Sequence, residues 1–318
     1  MPINILFHAS GTSPDAWFNA LQAAWDVAGL DVNLRVWQEG DTNPADYALV
    51  WKPPAAMLAQ REDLKAIFIL GAGVDALLQL GDALPNSVPL IRLDDAGMGV
   101  QMAEYVTQAV LRYFRRVDEY AQHQAQTRWQ VLRPHKKADF SVGVMGAGVL
   151  GQCILDALRP FEFSLNCWSR QSKNLANVRS FAGDEGLDDF LRASRVIVLI
   201  LPLTKETTNL LDYRRLCLLP SGAYVINVAR GAHIVDEDLL ALVRSGHIAG
   251  ATLDVFREEP LPSSHPFWDE EKIRITPHIS ALTMREESAQ QIAGKIRAIE
   301  DGADPQKIVG LVDKTKGY

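Results

Sequence analysis

Three apolar segments of this chain each end in a residue that could take part in proton or charge chemistry. Tyr224–Val228 leads into Ala229-Arg230-Gly231. Ala251–Phe256 leads into Arg257-Glu258-Glu259-Pro260. Ile273–Thr276 leads into Pro277-His278-Ile279-Ser280. Each segment reads as a strand, and in open α/β sheets ligands collect outside the carboxyl ends of the strands. A histidine titrates near neutrality and can deliver a proton to an oxygen as negative charge builds on it. A glutamate on the other ring nitrogen sets the tautomer and favours the protonated ring. An arginine grips a carboxylate with a planar fork and stabilises developing charge. Together, Arg230, Glu259 and His278 suit hydride addition to a ketone beside a carboxylate.

Each of the three also has a plainer reading when taken alone. Arg230 is then a surface residue, Glu259 part of a charged turn before Pro260, and His278 a hydrogen-bonded loop histidine. The other histidines, His8, His123, His135, His233, His247 and His265, lack such partners in the pattern and read as structural or solvated. No His/Cys/Asp cluster has metal-ligand spacing, so no metal is expected.

A hydride donor would need a binding site, and one is written at 146–151. Gly146-Ala147-Gly148-Val149-Leu150-Gly151 is a G-x-G-x-x-G. It lies between a short apolar strand, Phe140–Met145, and an amphipathic helix, Val149–Leu158. In that context the first glycine permits the tight turn, the second lets backbone approach a pyrophosphate, and the third lets helix and strand pack closely. The helix start then offers N–H groups and a positive dipole end to the anion. The plainer reading is a glycine-rich strand–helix turn that binds nothing.

The next strand, Phe163–Trp168, indicates which dinucleotide is expected. An NAD site carries Asp or Glu about 20 residues on, bonded to the ribose 2′-hydroxyl. Here the strand end reads Ser169-Arg170-Gln171-Ser172-Lys173, with no acid. Arg170 can fork onto a 2′-phosphate, Ser169 can donate to it, and Lys173 adds charge. NADP(H) is therefore expected over NAD(H), unless Arg170 and Lys173 are only a solvated loop face.

Elements must bring these residues together. From Ile3 to Leu93, short strands (Ile3–Phe7, Val32–Trp37, Tyr47–Trp51, Ala66–Leu70, Leu90–Leu93) alternate with helices. The first helix is expected over Pro14–Ala28, with Ser13 as N-cap. A long helix is expected over roughly Val100–Gln124, then a loop from Arg128 to Asp139. A second alternating unit follows, with strands near 140–145, 163–168, 196–201, 223–228, 250–255 and 273–275. A helix at Asp236–Ser245 is acidic at its start and stops before Gly246. This rhythm predicts two parallel sheets, each covered on both faces. The cluster Arg112, Arg115, Arg116 reads as a solvated helix face.

A length of 318 residues suits two domains. The net charge of −7 argues against a nucleic-acid or anionic-membrane binder. Cys153, Cys167 and Cys217 form no C-x-x-C pair and sit in apolar stretches, which reads as buried thiols in a reducing compartment. M-P-I-N-I-L-F-H reads as a strand rather than a signal peptide. The longest apolar run, Val196–Leu203, is too short to span a bilayer. The cytoplasm is the expected location.

The ordered set G-A-G-V-L-G at 146–151, L-P-L-T-K-E-T-T at 201–208, N-V-A-R-G at 227–231, D-V-F-R-E-E-P at 254–260 and H-P-F-W…T-P-H-I-S at 265–280 resembles the D-isomer-specific 2-hydroxyacid dehydrogenase family over almost the whole chain. W-K-P-P at 51–54, L-G-A-G-V-D at 70–75 and M-G-V-Q-M-A-E-Y at 98–105 resemble its glyoxylate/hydroxypyruvate reductase A subgroup. The resemblance implies NADPH-dependent reduction of small 2-keto acids, glyoxylate and hydroxypyruvate.

It also implies roles by position: Arg230 on the substrate, Glu259 paired to histidine, His278 as proton donor, and the Ala72 and Gly73 N–H groups on the substrate carboxylate. Trp51 matches an aromatic pocket wall, although a Trp at a strand end is also an ordinary core residue. Asp254 matches a residue near the nicotinamide carboxamide, although it also reads as a cap on the strand-end turn. Pro202, Leu203, Thr207, Val228 and Ala229 fall in loops that line the family's cofactor. The implied fold is a Rossmann cofactor domain, 99–283, inserted in a flavodoxin-like substrate domain, 1–98 plus 284–318. A C-terminal helix near Met284–Glu300 returns to the first unit, with the site in a cleft between domains that closes to exclude water. The resemblance further implies a homodimer with the 100–124 helix in the contact. Two alternatives stay open: the same chemistry on a bulkier 2-keto acid, and a non-catalytic NADP(H) sensor.

Overall fold

The computed structural model describes residues 2–11 and 13–317. The chain divides into two compact units, Met1–Met98 with Thr283–Tyr318, and Gly99–Leu282.

The first unit opens with β1 (Ile3–Ala9), α1 (Pro14–Ala28), β2 (Val32–Val36), β3 (Tyr47–Trp51), α2 (Ala55–Leu58), β4 (Ala66–Ile69), α3 (Asp75–Leu78) and β5 (Leu90–Ile91). Helix α1 starts as expected, but the Ser13 side chain makes no capping bond. Pro14 at the first helical position, with its preset φ, and Asp15 in the first turn mark the start instead. The sheet is parallel, in the order β2-β1-β3-β4-β5. That is the flavodoxin-like order, whose direction of winding reverses between β1 and β3. Alternate side chains serve opposite faces. Leu6, Ala48, Val50, Ile67 and Ile69 build one core beneath Met57, Leu58 and Leu77. On the other face Phe7 meets Trp17 and Phe18 of α1.

The second unit opens inside α4 (Met98–Phe114), at Gly99, and continues with α5 (Val117–Ala125). The single helix expected over Val100–Gln124 is therefore two. Arg116 sits in the left-handed region at φ 57 and ends the regular winding. The basic cluster is correspondingly not just a solvated face. Arg112 donates to Asp118 at 2.8 Å, and Arg116 donates to Glu119 at 2.7 Å and to the Arg133 carbonyl at 2.6 Å. These bonds brace the break, a tertiary effect that helical periodicity does not register.

There follow β6 (Ser141–Met145), α6 (Val149–Leu158), β7 (Ser164–Ser169), β8 (Val178–Ala182), α7 (Gly183–Arg192), β9 (Val196–Leu199), α8 (Tyr213–Leu216), β10 (Ala223–Asn227), α9 (Asp236–Ser245), β11 (Ile248–Leu253) and β12 (Ile273–Ile275). Strand β8 was not anticipated; it is an edge strand whose V-R-S-F-A mixes polar with apolar positions. The seven strands are parallel in the order β12-β11-β10-β9-β6-β7-β8, a Rossmann sheet whose winding reverses between β6 and β9. Both faces are covered. Val196 and Val198 join Val106, Val110, Ile154 and Leu155 on one side. Ile197 and Leu199 join Leu187, Phe190, Leu239 and Val243 on the other. Chain order ends with α10 (Arg285–Glu300), which belongs to the first unit and packs along α1. Its Glu300 accepts from the Tyr47 hydroxyl at 2.6 Å.

Of the three cysteines expected to be buried, only Cys167 is. Cys153 is half-buried and Cys217 exposed. Cys217 caps the single turn of α8, too short an element to cover its own last residue. Among the described residues no helix is long and apolar enough to cross a membrane.

Two glycines of the 146–151 turn are demanded by this packing. Gly146 takes φ +117, and a Cβ on it would stand 2.7 Å from the Ile200 carbonyl oxygen. A Cβ on Gly151 would lie 1.8 Å from the Gly146 carbonyl oxygen. Gly151→Ala should therefore push α6 away from β6 and cost about 1–3 kcal/mol, the usual toll of overpacking. An unchanged melting temperature would show that the turn does not need the close approach.

Candidate active site

All the candidate chemistry of the second unit stands at the carboxyl edge of its sheet. β10 ends in Asn227, which is 1% exposed. Its side-chain amide donates to the Arg230 carbonyl at 2.9 Å, and its oxygen accepts the Ala229 N–H at 3.1 Å. Asn227 thereby shapes the Val228-Ala229-Arg230 loop, in which Val228 and Ala229 are buried and Arg230 is half-buried. Gly231 then lies against the next loop, where an added Cβ would be 2.0 Å from the Phe256 carbonyl carbon. Only glycine allows the Arg230 loop to sit directly on the backbone before Glu259.

Glu259 is held at both oxygens. Oε1 accepts the Phe256 N–H at 3.0 Å, and Oε2 faces His278 Nδ1 at 2.8 Å. Burial pushes the Glu259 carboxyl up. The His278 hydrogen bond, the Phe256 N–H and the charges of His278 and Arg230 outweigh it and hold the group below its ordinary 4.5. The close approach of Gly231 to Phe256 sets the Arg230 loop against the loop that carries Glu259. As an ionised acceptor, Glu259 requires Nδ1 to carry a hydrogen, which leaves Nε2 as the ring nitrogen directed to other chemistry.

His278 itself takes φ 55, in the left-handed region. Its N–H bonds the Asp254 main-chain oxygen at 2.8 Å. The Asp254 carboxylate, at 0% exposure, accepts from the Thr276 hydroxyl at 2.6 Å and from the Ile279 and Ser280 N–H groups at 2.8 and 2.7 Å. Asp254 thus lies beneath the histidine turn and holds it from both sides.

At the glycine turn, Gly148 differs from its two neighbours. It is exposed, N-caps α6, and a Cβ on it would meet nothing within 4 Å. The protein's own packing leaves that space open, beside helix N–H groups that have no intrahelical partner. It is the cradle a pyrophosphate fits. Val149, 47% exposed, and half-buried Leu150 border it. At the end of β7 the Ser169 hydroxyl donates to the Gln171 carbonyl at 2.7 Å, while Arg170 and Lys173 are exposed on the same turn. Beyond β9, Pro202 and Leu203 enter a turn closed by Thr207. Its hydroxyl accepts the Thr204 N–H and donates to the Pro202 carbonyl, both at 2.8 Å.

In the first unit, Trp51 ends β3 beside the β1/β3 reversal of winding. Its ring lies on Gly71, where a Cβ would be 2.5 Å from it. Ala72 and Gly73 follow, half-buried, at the end of β4.

Sequence reasoning singled out none of three positioning residues, Asn227, Thr276 and Tyr105, and left His233 as structural or solvated. Asn227 is a polar residue ending an otherwise apolar buried strand, a signal that was available. His233, read as structural or solvated, is fully buried. Its ring nitrogens face the Arg230 and Pro202 carbonyls at 3.0 and 3.3 Å. Nothing local to Thr276 or Tyr105 signals that they pair; their hydroxyls meet at 2.5 Å across 171 positions of sequence.

A family model described as D-isomer specific 2-hydroxyacid dehydrogenase, NAD binding domain, matches residues 107–280. The glyoxylate/hydroxypyruvate reductase A of Yersinia enterocolitica is 48% identical over 99% of this chain and all of that relative. A D-isomer specific 2-hydroxyacid dehydrogenase from Xanthobacter autotrophicus, solved with NADPH and MES, superposes with a TM-score of 0.92 at 39% identity over the full length of both chains. The NADPH-dependent glyoxylate/hydroxypyruvate reductase of Sinorhizobium meliloti, solved with NADP and sulfate, gives 0.89 at 31% identity over 99% of this chain and all of that one. The chain belongs to the D-isomer specific 2-hydroxyacid dehydrogenase family.

The depressed Glu259 carboxyl sets a pH expectation. A group with a lowered folded-state value contributes stability above its ordinary value and loses it as pH falls through the folded one. The Glu259–His278 link should therefore persist to below pH 4.5. Glu259→Gln keeps an acceptor opposite Nδ1 but removes the carboxylate charge. The stability that the charged carboxylate contributes in wild type, lost as pH falls below 4.5, should therefore be missing at every pH in the variant. Melting temperatures that fall in parallel below pH 4.5 in wild type and variant would show that Glu259 does not hold the pair.

Proposed function

We propose that this protein reduces small 2-keto acids, glyoxylate and hydroxypyruvate, with NADPH. The observation that carries the reading is the 2.8 Å pair between Glu259 and His278, with Arg230 on the same sheet edge. When bound, the reduced nicotinamide supplies the hydride.

The protein's own residues do the rest. Arg230 binds the substrate carboxylate and carbonyl, orients the ketone and stabilises charge on its oxygen. His278 delivers the Nε2 proton to that oxygen as the alkoxide forms. Glu259 keeps Nδ1 protonated and offsets the imidazolium charge. Within the first unit, the Ala72 and Gly73 N–H groups receive the substrate carboxylate, and Trp51 walls the pocket. Gly148 and the start of α6 take the pyrophosphate, flanked by Val149, Leu150 and the turn through Pro202, Leu203 and Thr207. Ser169, Arg170 and Lys173 take the 2′-phosphate.

The cofactor preference is supported by the absence of any carboxylate in Ser169–Lys173 and by the NADPH and NADP held in the two similar structures. The substrate class is supported by the names of the relatives. Glyoxylate and hydroxypyruvate differ by one hydroxymethyl group, so discrimination between them should be modest.

The test follows reduced-nicotinamide absorbance with glyoxylate, hydroxypyruvate and pyruvate, each against NADPH and NADH. Rapid loss with NADPH and the first two acids is expected; dinucleotide binding without turnover of any 2-keto acid would overturn the reading. His278→Ala should lower kcat by about 10²–10⁴-fold, the usual contribution of general acid catalysis, with NADPH affinity kept. Turnover near wild type would remove His278 from the proton step. Arg170→Asp should weaken NADPH and shift preference toward NADH, whereas an unchanged cofactor ratio would show that Arg170 does not read the 2′-phosphate.

A further inference from the structure

We propose that Tyr105, Thr276 and Asp254 form a positioning chain that holds His278 in register with Glu259. The proposal rests on the reading of His278 as proton donor.

The chain has a defined direction. The Thr276 hydroxyl donates to Asp254 Oδ1 at 2.6 Å. A hydroxyl has one hydrogen, so at its other contact, 2.5 Å from the Tyr105 oxygen, Thr276 must accept. Tyr105 is therefore the donor that begins the sequence. Burial pushes its phenol up to about 12, partly opposed by the Thr276 bond, so that it keeps its hydrogen across the working range. The ionisable groups facing it are Asp254 and Tyr224.

The same Asp254 carboxylate accepts the N–H groups of Ile279 and Ser280, and the Asp254 main-chain oxygen accepts that of His278. Residues on both sides of the histidine are thus tied to Asp254, and the ring's left-handed backbone follows from those ties. A left-handed non-glycine residue is costly and persists only where its surroundings over-determine it. The Tyr105 hydroxyl fills the Thr276 lone pair that would otherwise be left unmatched. It thereby removes the freedom of Thr276 to turn from Asp254 to another partner. Tyr105 lies on α4, so a helix with no catalytic side chain in the reading above helps to hold the proton donor. None of the three touches the reacting atoms; each acts through the His278 turn.

The experiment uses the full chain with Tyr105→Phe, Thr276→Val and Thr276→Ser made singly, and with Tyr105→Phe and Thr276→Val combined in a double variant. Tyr105→Phe should lower kcat about tenfold, within the hundredfold that a misplacement of about 1 Å can cost. KM for glyoxylate and the NADPH dissociation constant should stay within about twofold. Thr276→Ser should retain most of the wild-type rate. The double variant should be no slower than Thr276→Val alone, because Tyr105 acts only through Thr276.

Hydrogen exchange at the Ile279 and Ser280 amides gives a readout that does not need turnover. It should quicken in Tyr105→Phe and Thr276→Val and stay slow in Thr276→Ser. If the wild type turns over no 2-keto acid while these exchange changes appear, the proposed function fails and the positioning chain stands. An unchanged kcat, a KM that rises in step with the fall in kcat, additive effects in the double variant, or unaltered exchange would overturn the chain.

Discussion

The buried carboxylate of Asp254 is the constraint on which the site depends. A carboxylate at 0% exposure is costly unless donors surround it. The nearest donors are the Thr276 hydroxyl and the N–H groups of Ile279 and Ser280. Satisfying them forces the chain to wrap around Asp254, and the wrap carries His278 through a left-handed residue toward Glu259. The histidine's place is thus a consequence of solvating one buried charge from within. The same logic recurs next door, where buried Asn227 answers the Arg230 carbonyl and the Ala229 N–H and so shapes the arginine's loop.

Sheet topology supplies the common edge. Because all seven strands of the second unit run parallel, β9, β10, β11 and β12 deliver their loops to the same side as the glycine turn after β6. Close backbone approach then sets the spacing between loops. Gly231 rests on Phe256 and Gly151 on Gly146, with no side chain between them. Gly148 has no such neighbour, which separates its role from theirs. The first unit repeats the principle on a smaller sheet, where the absence of a Cβ at Gly71 lets the Trp51 ring lie across the loop that starts there.

Charge is organised locally rather than globally. The chain carries −7 overall, yet cationic groups stand at the two places proposed to receive anions, Arg230 at the substrate and Arg170 with Lys173 beyond β7. Net charge speaks to non-specific partners, while a few arginines in a shaped loop decide a specific one.

Much of this was legible in the sequence because it is written locally. Helix bounds at Pro14–Ala28, Val149–Leu158 and Asp236–Ser245 follow from apolar period, an N-terminal proline or acids, and a following glycine or turn. The parallel strands announced themselves as short apolar runs, and Arg230, Glu259 and His278 stood out because each ended one. Where a decision depended on distant partners, local pattern was silent or misleading. The helical period runs through Arg116, but ion pairs to Asp118 and Glu119 hold a break there. Cys217 sits beside Leu216, Leu218 and Leu219 yet emerges at the surface. Tyr105 and Thr276 look like ordinary members of a helix and a strand end, and only the docking of α4 against the sheet brings their hydroxyls together. The order of residues settles which elements form and which side chains they offer at their ends, because propensity, period and turn chemistry act over a few residues. Which of those side chains meet is settled only in three dimensions, because strand register and the solvation of buried charge are decided across the whole sheet.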